Sequence, residues 1–160
     1  MGTIPQDGGV VAADAEKLKS SPIRTVAIIH ILILKSNHLY TREILAHITG
    51  WDDAIIASVS AHIAGGQPGT PALRGLDVYN AETVATREGL DYEHIYREYL
   101  RTRDILIDLI GSMPLEKATQ SFTMLWGDQG DLKTLLTVFI EHEIEHADDV
   151  RKLISGAASA

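Results

Sequence analysis

The residues of this chain best suited to chemistry lie near its C-terminal end, in the segment FIEHEIEHADDV. His142 and His146 are four residues apart. On a helix that spacing puts both rings on one face, about 6 Å apart along the axis, and two imidazoles so placed can chelate one metal ion. The face matters as much as the spacing. Leu132, Leu135 and Phe139 lead into His142 at steps of three or four, and the same line runs on past His146 to Asp149 or Val150 and then Leu153. Both histidines therefore stand on the stripe that faces a core, where an unpaired polar group is costly. A partner is available in LAHITGWDD, where His47 shares a line with Ile44, Trp51, Ala54 and Ser58. Three imidazoles from two helices would leave a fourth coordination position open for water or substrate, as in catalytic rather than closed structural sites.

Two other patterns overlap these residues. His142-Glu143-Ile144-Glu145-His146 matches HExxH, the zinc-protease helix in which the glutamate is the general base. Against it, Glu145 puts a charge inside the motif, and no histidine follows His146 as a further ligand. Glu143 and His146 also match half of a di-iron carboxylate site, but no second Glu-x-x-His exists, since Glu43 and His47 are four apart. Among the remaining histidines, His30 reads as a core residue, and His38, His62 and His94 as surface or helix-end residues. Asp52, beside Trp51, is expected to face solvent, the alternative being that it orients an imidazole. Arg97, Arg101 and Arg103 interleave with Glu98 and Asp104 and read as a solvated helix face.

The elements that must position these groups read as helices divided by Gly and Pro. Residues 1–9 and 155–160 are expected to be flexible ends around one domain spanning 10–154. Ser20-Ser21-Pro22 is a helix-start signal. The run Ile23–Leu34 that follows is apolar on nearly every face, which makes helix and strand hard to separate. Helix is preferred, because no other segment reads as its partner strand. A second helix is expected over Thr41–Ala64, with Ile44, Ile48, Trp51, Ile55 and Val59 at the helical period and Gly65-Gly66 at its end. A short helix follows over Asn80–Arg87. Asp91 caps a long one carrying Ile95, Leu100, Ile105, Leu106, Leu109 and Ile110. Residues 112–130 read as a loop, and Asp131 caps the last helix, to about Ile154. The fold class expected is all-α, a four-helix bundle with an extra short helix in a long connection. The connections at 65–79 and 111–130 are long enough to lid a site.

The composition narrows the partners. The 160 residues carry 14 Lys plus Arg against 22 Asp plus Glu, a formal net charge of −8. With no basic patch, nucleic-acid binding is not expected. Cysteine is absent, so disulfides, thiolate metal sites and cysteine nucleophiles are excluded. The Ile23–Leu34 run is too short to span a bilayer, and the opening residues do not read as a signal peptide. A cytoplasmic protein without membrane association is expected. Part of the apolar run is expected to be buried by a second copy of the chain, in a homodimer.

Taken together, TREILAHITGWDD at 41–53, DVYNAETVATREGL at 77–90, Trp126-Gly127 and EHEIEHADDV at 141–150 resemble the DinB-like superfamily of bacterial four-helix metal proteins, over about residues 37–154. The resemblance implies an up-up-down-down bundle, often dimeric, with one divalent metal ion per chain on His47, His142 and His146. Zinc is the first expectation, with nickel and iron as alternatives. It also implies relatives that are thiol S-transferases using bacillithiol or mycothiol, or a mycothiol-dependent isomerase. The chain departs from the family pattern in its first helix and at His38-Leu39-Tyr40, where relatives often carry a Trp-Ser pair. The expected function is thus a metal-dependent enzyme of S-transferase or hydrolase type, in which water or a small thiol attacks a small electrophilic substrate. The competing expectations are a non-catalytic metal- or ligand-binding stress-associated module and a structural homodimer without metal.

Overall fold

The computed structural model describes residues 38–157, with side chains over 41–152. The expectations for Ile23–Leu34, for His30 and for the two ends of the chain beyond these limits lie outside the described residues. Within them the protein is mostly helical. Three long helices, α1 (His38–Ile63), α3 (Tyr92–Gly111) and α5 (Leu132–Ala157), are joined by two shorter ones, α2 (Leu76–Ala85) and α4 (Leu115–Thr119). A two-residue antiparallel ladder pairs β1 (Phe122–Thr123) with β2 (Gln129–Gly130).

Each long helix follows from its apolar period. In α1, Trp51, Ile55 and Val59 are buried together with Leu45 and Ala46. Residues as large and as buried as Ile55 or Val59 contribute about 1.5–3 kcal/mol each by leaving water. The helix ends where Gly65 takes φ +76 and the Gly66 amide donates to the Ala61 carbonyl, a glycine-closed C-terminus. In α3 the buried stripe is Ile95, Tyr99, Thr102, Leu106 and Ile110. Leu100 and Ile105, also carried by this helix, are 37% and 40% exposed, because the stripe runs through Tyr99 and Thr102 instead. The caps are as expected: Asp91 accepts from the His94 amide at 2.8 Å, and Asp131 from the Thr134 amide at 2.8 Å.

The directions of the helices follow from what touches what. Arg42 at the start of α1 donates to the carbonyls of Glu88 and Leu90, just before α3. Leu45 and Ala46 pack with Ile95 and Tyr99, and Asp52 meets Thr102. Thus α1 and α3 run parallel. In α5 the order is reversed: His47 meets His142, while Trp51, further along α1, meets Phe139, earlier in α5. An up-up-down-down bundle would set the second and third long segments antiparallel, so this part of the expectation is corrected. The cause is the connection from residue 64 to 91, which carries the chain back along α1 before α3 begins.

That connection and the next also differ from the loops expected. The short helix starts at Leu76, earlier than Asn80, behind Gly75 at φ +117 and without a side-chain cap, so no capping residue marked its start. It approaches α1 at Gly50, where a β-carbon would lie 2.4 Å from the Thr83 β-carbon. The Tyr79 hydroxyl donates to the Gly50 carbonyl at 2.9 Å. Residues 112–130 hold α4 and the β-ladder, with Phe122, Met124 and Leu125 only 5%, 1% and 0% exposed. The Ala72 amide donates to the Leu125 carbonyl at 3.0 Å, tying the two connections together. The 112–130 connection closes the core at the Ile63 end of α1, where His62 stacks on Phe122 at 4.4 Å. That is about 22 Å along the axis from His47 at 1.5 Å per residue, so this connection is not a lid over the histidines. Among the described residues no helix is long and apolar enough to cross a membrane.

Candidate metal centre

The apolar stripe of α5 runs from Leu132 and Leu135, both buried, through half-buried Phe139 to His142 and His146. On α1, His47 is 8% exposed, one turn before Trp51. The antiparallel contact of the two helices brings the three rings together. The Nε2 atoms of His47 and His142 are 3.0 Å apart, as are those of His142 and His146. The rings meet edge to face, with centroids 4.4–5.0 Å apart. All the ligand atoms lie within 4.8 Å of one another, a group that can hold a metal ion.

A neutral imidazole nitrogen carries either one proton or one lone pair. His142 Nε2 faces two other Nε2 atoms at hydrogen-bond distance, so it can satisfy one of them well and not both. A single cation between the rings satisfies three lone pairs at once. Tetrahedral zinc with bonds of about 2.0–2.1 Å sets its nitrogens ~3.3 Å apart, so the two 3.0 Å spacings need only a few tenths of an ångström of relaxation. The protonation state suits a ligand set. Burial, reinforced by the other two histidines, lowers the His47 pKa to about 4. Burial, then His146 and Arg103, lowers that of His142 to about 4. Burial also lowers His146, against the pull of Asp149, Glu145 and Glu143. All three are neutral at pH 7, the form a metal requires.

The flanks of the cluster differ. On one side Trp51 tilts against Phe139 with ring centroids 5.5 Å apart and meets His142 edge-on at 6.5 Å. The indole N–H donates to Asn80 Oδ1 at 3.0 Å, and Tyr79 closes on the indole edge at 4.7 Å. On the other side is a charged bridge that sequence reasoning missed. Arg103 donates to Asp52 Oδ2 at 2.8 Å and pairs with Glu143. Thr102 also donates to Asp52, at 3.0 Å. Burial pushes the Asp52 carboxyl up from the usual carboxylate range, while Arg103 pulls it the other way.

Comparison with family models, with curated proteins and with solved structures gives no match.

The site thus rests on its own geometry, which brings together His47, His142 and His146. Several neighbours stand elsewhere than expected. Asp52 is 1% exposed and committed to Arg103 and Thr102, not turned to solvent. Arg103 is buried in that bridge, unlike exposed Arg97 and Arg101. Glu143 has a side chain only 12% exposed and bound to Arg103. Engaged in this way it is not a free general base, in keeping with the argument against HExxH. His62 lies in the last turn of α1, as a helix-end residue, but it is buried rather than on the surface: it is 5% exposed, with Nε2 2.8 Å from the Lys117 carbonyl. His94 is exposed, as expected. The signal that could have revealed Arg103 is its place four residues after Tyr99, at the edge of the buried α3 stripe.

Proposed function

We propose that the chain is a DinB-like metal-binding protein in which His47, His142 and His146 hold one divalent ion, zinc before nickel or iron. On this reading it is an enzyme of S-transferase or hydrolase type. It would take a small electrophilic substrate together with water or a low-molecular-weight thiol at the open side of the centre. The observation that carries the reading is the convergence of three neutral Nε2 atoms from two helices. When bound, a divalent ion supplies Lewis acidity that brings the pKa of a water or thiol toward neutrality. The histidines hold and orient. Trp51 and Phe139 pack an apolar flank beside His142, which keeps water from that side of the centre.

The test is metal analysis of protein purified without a histidine tag, followed by assays of thiol conjugation and hydrolysis on small electrophiles. The expected result is about one ion per chain and a turnover that chelation removes and added metal restores. Stoichiometric metal without turnover would support a binding module instead. A metal-free protein with its three histidines hydrogen-bonded to one another would support a structural role.

A further inference from the structure

The three ligands come from two helices, so the centre exists only at one setting of α5 against α1. What fixes that setting is a question separate from which residues bind. Besides the histidines and the packing of Trp51 on Phe139, α1 and α5 are joined through the side chain of Arg103, which belongs to neither. Its guanidinium reaches Asp52 on α1 and Glu143 on α5 and lies 5.2 Å from the Tyr99 ring centroid of its own helix. Asp52 follows His47 by little more than one turn, and Glu143 is the neighbour of His142. The bridge therefore grips both ligand-bearing helices close to the ligands. It is largely shielded from water: the side chains of Arg103, Asp52 and Glu143 are 14%, 1% and 12% exposed. Thr102 holds the Asp52 carboxylate from the same α3 turn, so the α1 anchor is itself fixed.

We propose that Arg103 is a positioning residue for the three-histidine centre, clamping α5 to α1 so that the imidazoles of His142 and His146 meet that of His47. The proposal rests on the metal-binding reading above. A planar guanidinium with several donors can hold two carboxylates in fixed directions, and an ammonium on a flexible stem cannot do so equally well. A sideways slip of α5 by even an ångström would take two of the three nitrogens out of range of one ion. Outer partners of metal ligands typically contribute about 10–100-fold in metal affinity.

The sign of the effect separates positioning from charge. Arg103 is a cation beside a cation site. If it acted through its charge alone, Arg103→Met would bring Zn2+ binding closer to the two freed carboxylates and make it tighter. Positioning predicts the opposite. The fold also supplies a control. Arg87 forms the same kind of bridge, donating to Asp53 on α1 at 2.6 Å and to Glu98 on α3 at 2.9 Å. Its side chain is likewise only 12% exposed, but it touches no element that carries His142 or His146.

The experiment titrates Zn2+ against a chromophoric chelator for the wild type, Arg103→Met, Arg103→Lys and Arg87→Met. Metal-free thermal melts and the visible spectrum at saturating Co2+ accompany each titration. Arg103→Met should bind Zn2+ about 10–100-fold more weakly and give an altered Co2+ spectrum even when saturated. Arg103→Lys should recover part of the affinity. Arg87→Met should melt earlier yet keep the wild-type affinity and spectrum. A folded Arg103→Met that binds Zn2+ as tightly as the wild type, or more tightly, overturns the proposal. So does an Arg87→Met that weakens binding equally, since the effect is then a general loosening. Should Arg103→Met fail to fold, Asp52→Asn, which keeps the side-chain shape and cuts the α1 anchor, is judged by the same criterion. A wild type that binds no Zn2+ would instead overturn the metal-binding reading itself.

Discussion

His142 and His146 were legible from sequence because a helical stripe of Leu132, Leu135 and Phe139 runs straight into them, and burial on that stripe is decided by periodicity alone. His47 was legible for the same reason. Asp52, Arg103 and Glu143 were not, because each sits at the edge of a stripe, where sequence leaves a charged side chain free to point outward and only the docking of three helices buries it. His62 is a helix-end residue as expected, but its burial was not legible, for a similar reason. Its environment is Phe122 and the Lys117 carbonyl, supplied by a connection that sequence showed as a plain loop. The histidines also set a pH dependence. Above their ordinary pKa of 6.5, His47 and His142 are neutral folded or unfolded. Between about 6.5 and about 4, the unfolded chain takes up protons that the folded cluster refuses. Stability therefore falls as pH drops through that window. Bound metal adds a loss in the same direction, since protons compete for the ligands. Melts in chelator at about pH 7.5 and 4.5 should show a lower midpoint at the acid value. A midpoint that is flat or rises would contradict neutral, buried imidazoles.

At the scale of elements, the approach of α2 to α1 is limited by Gly50. In the sequence this glycine was part of a His-x-x-Gly-Trp pattern, with nothing to say why it should be glycine. In the fold it is the point where the Thr83 side chain sits against bare backbone. Gly50→Ala should force α2 outward and destabilise the protein by about 1–3 kcal/mol, read as a shift in denaturant midpoint. An unchanged midpoint would mean that α2 is held loosely. The connection over 112–130 was read as a loop because its apolar residues follow no single period. Phe122, Met124 and Leu125 alternate between a two-residue strand and a tight turn. Their burial makes this segment part of the core. Leu125→Ala, at a fully buried position, should cost about 2–5 kcal/mol, as much as a core substitution in α5 such as Leu135→Ala. A cost near zero would show that the connection covers the core without packing into it.

At the scale of the whole molecule, the helical class could be read from the Gly and Pro punctuation and the apolar periods, but the direction of the helices could not. Antiparallel neighbours are the default for short connections, and the sequence does not show that residues 64–91 return the full length of α1. We further propose a homodimer, on the strength of the apolar run Ile23–Leu34 alone. Sedimentation at micromolar concentration should give twice the 17.5 kDa chain mass, and a monomer would remove that surface from the account. The central claim is that His47 closes a three-imidazole centre begun by His142 and His146. The most direct measurement is bound metal in tag-free His47→Ala beside the wild type, His62→Ala and His94→Ala, with far-UV circular dichroism on each. The account predicts about one ion per chain in the wild type, His62→Ala and His94→Ala. It predicts metal stripped or greatly weakened in His47→Ala, whose helices persist because Trp51, Ile55 and Val59 still pack α1. A His47→Ala protein that keeps its full complement of metal would contradict it.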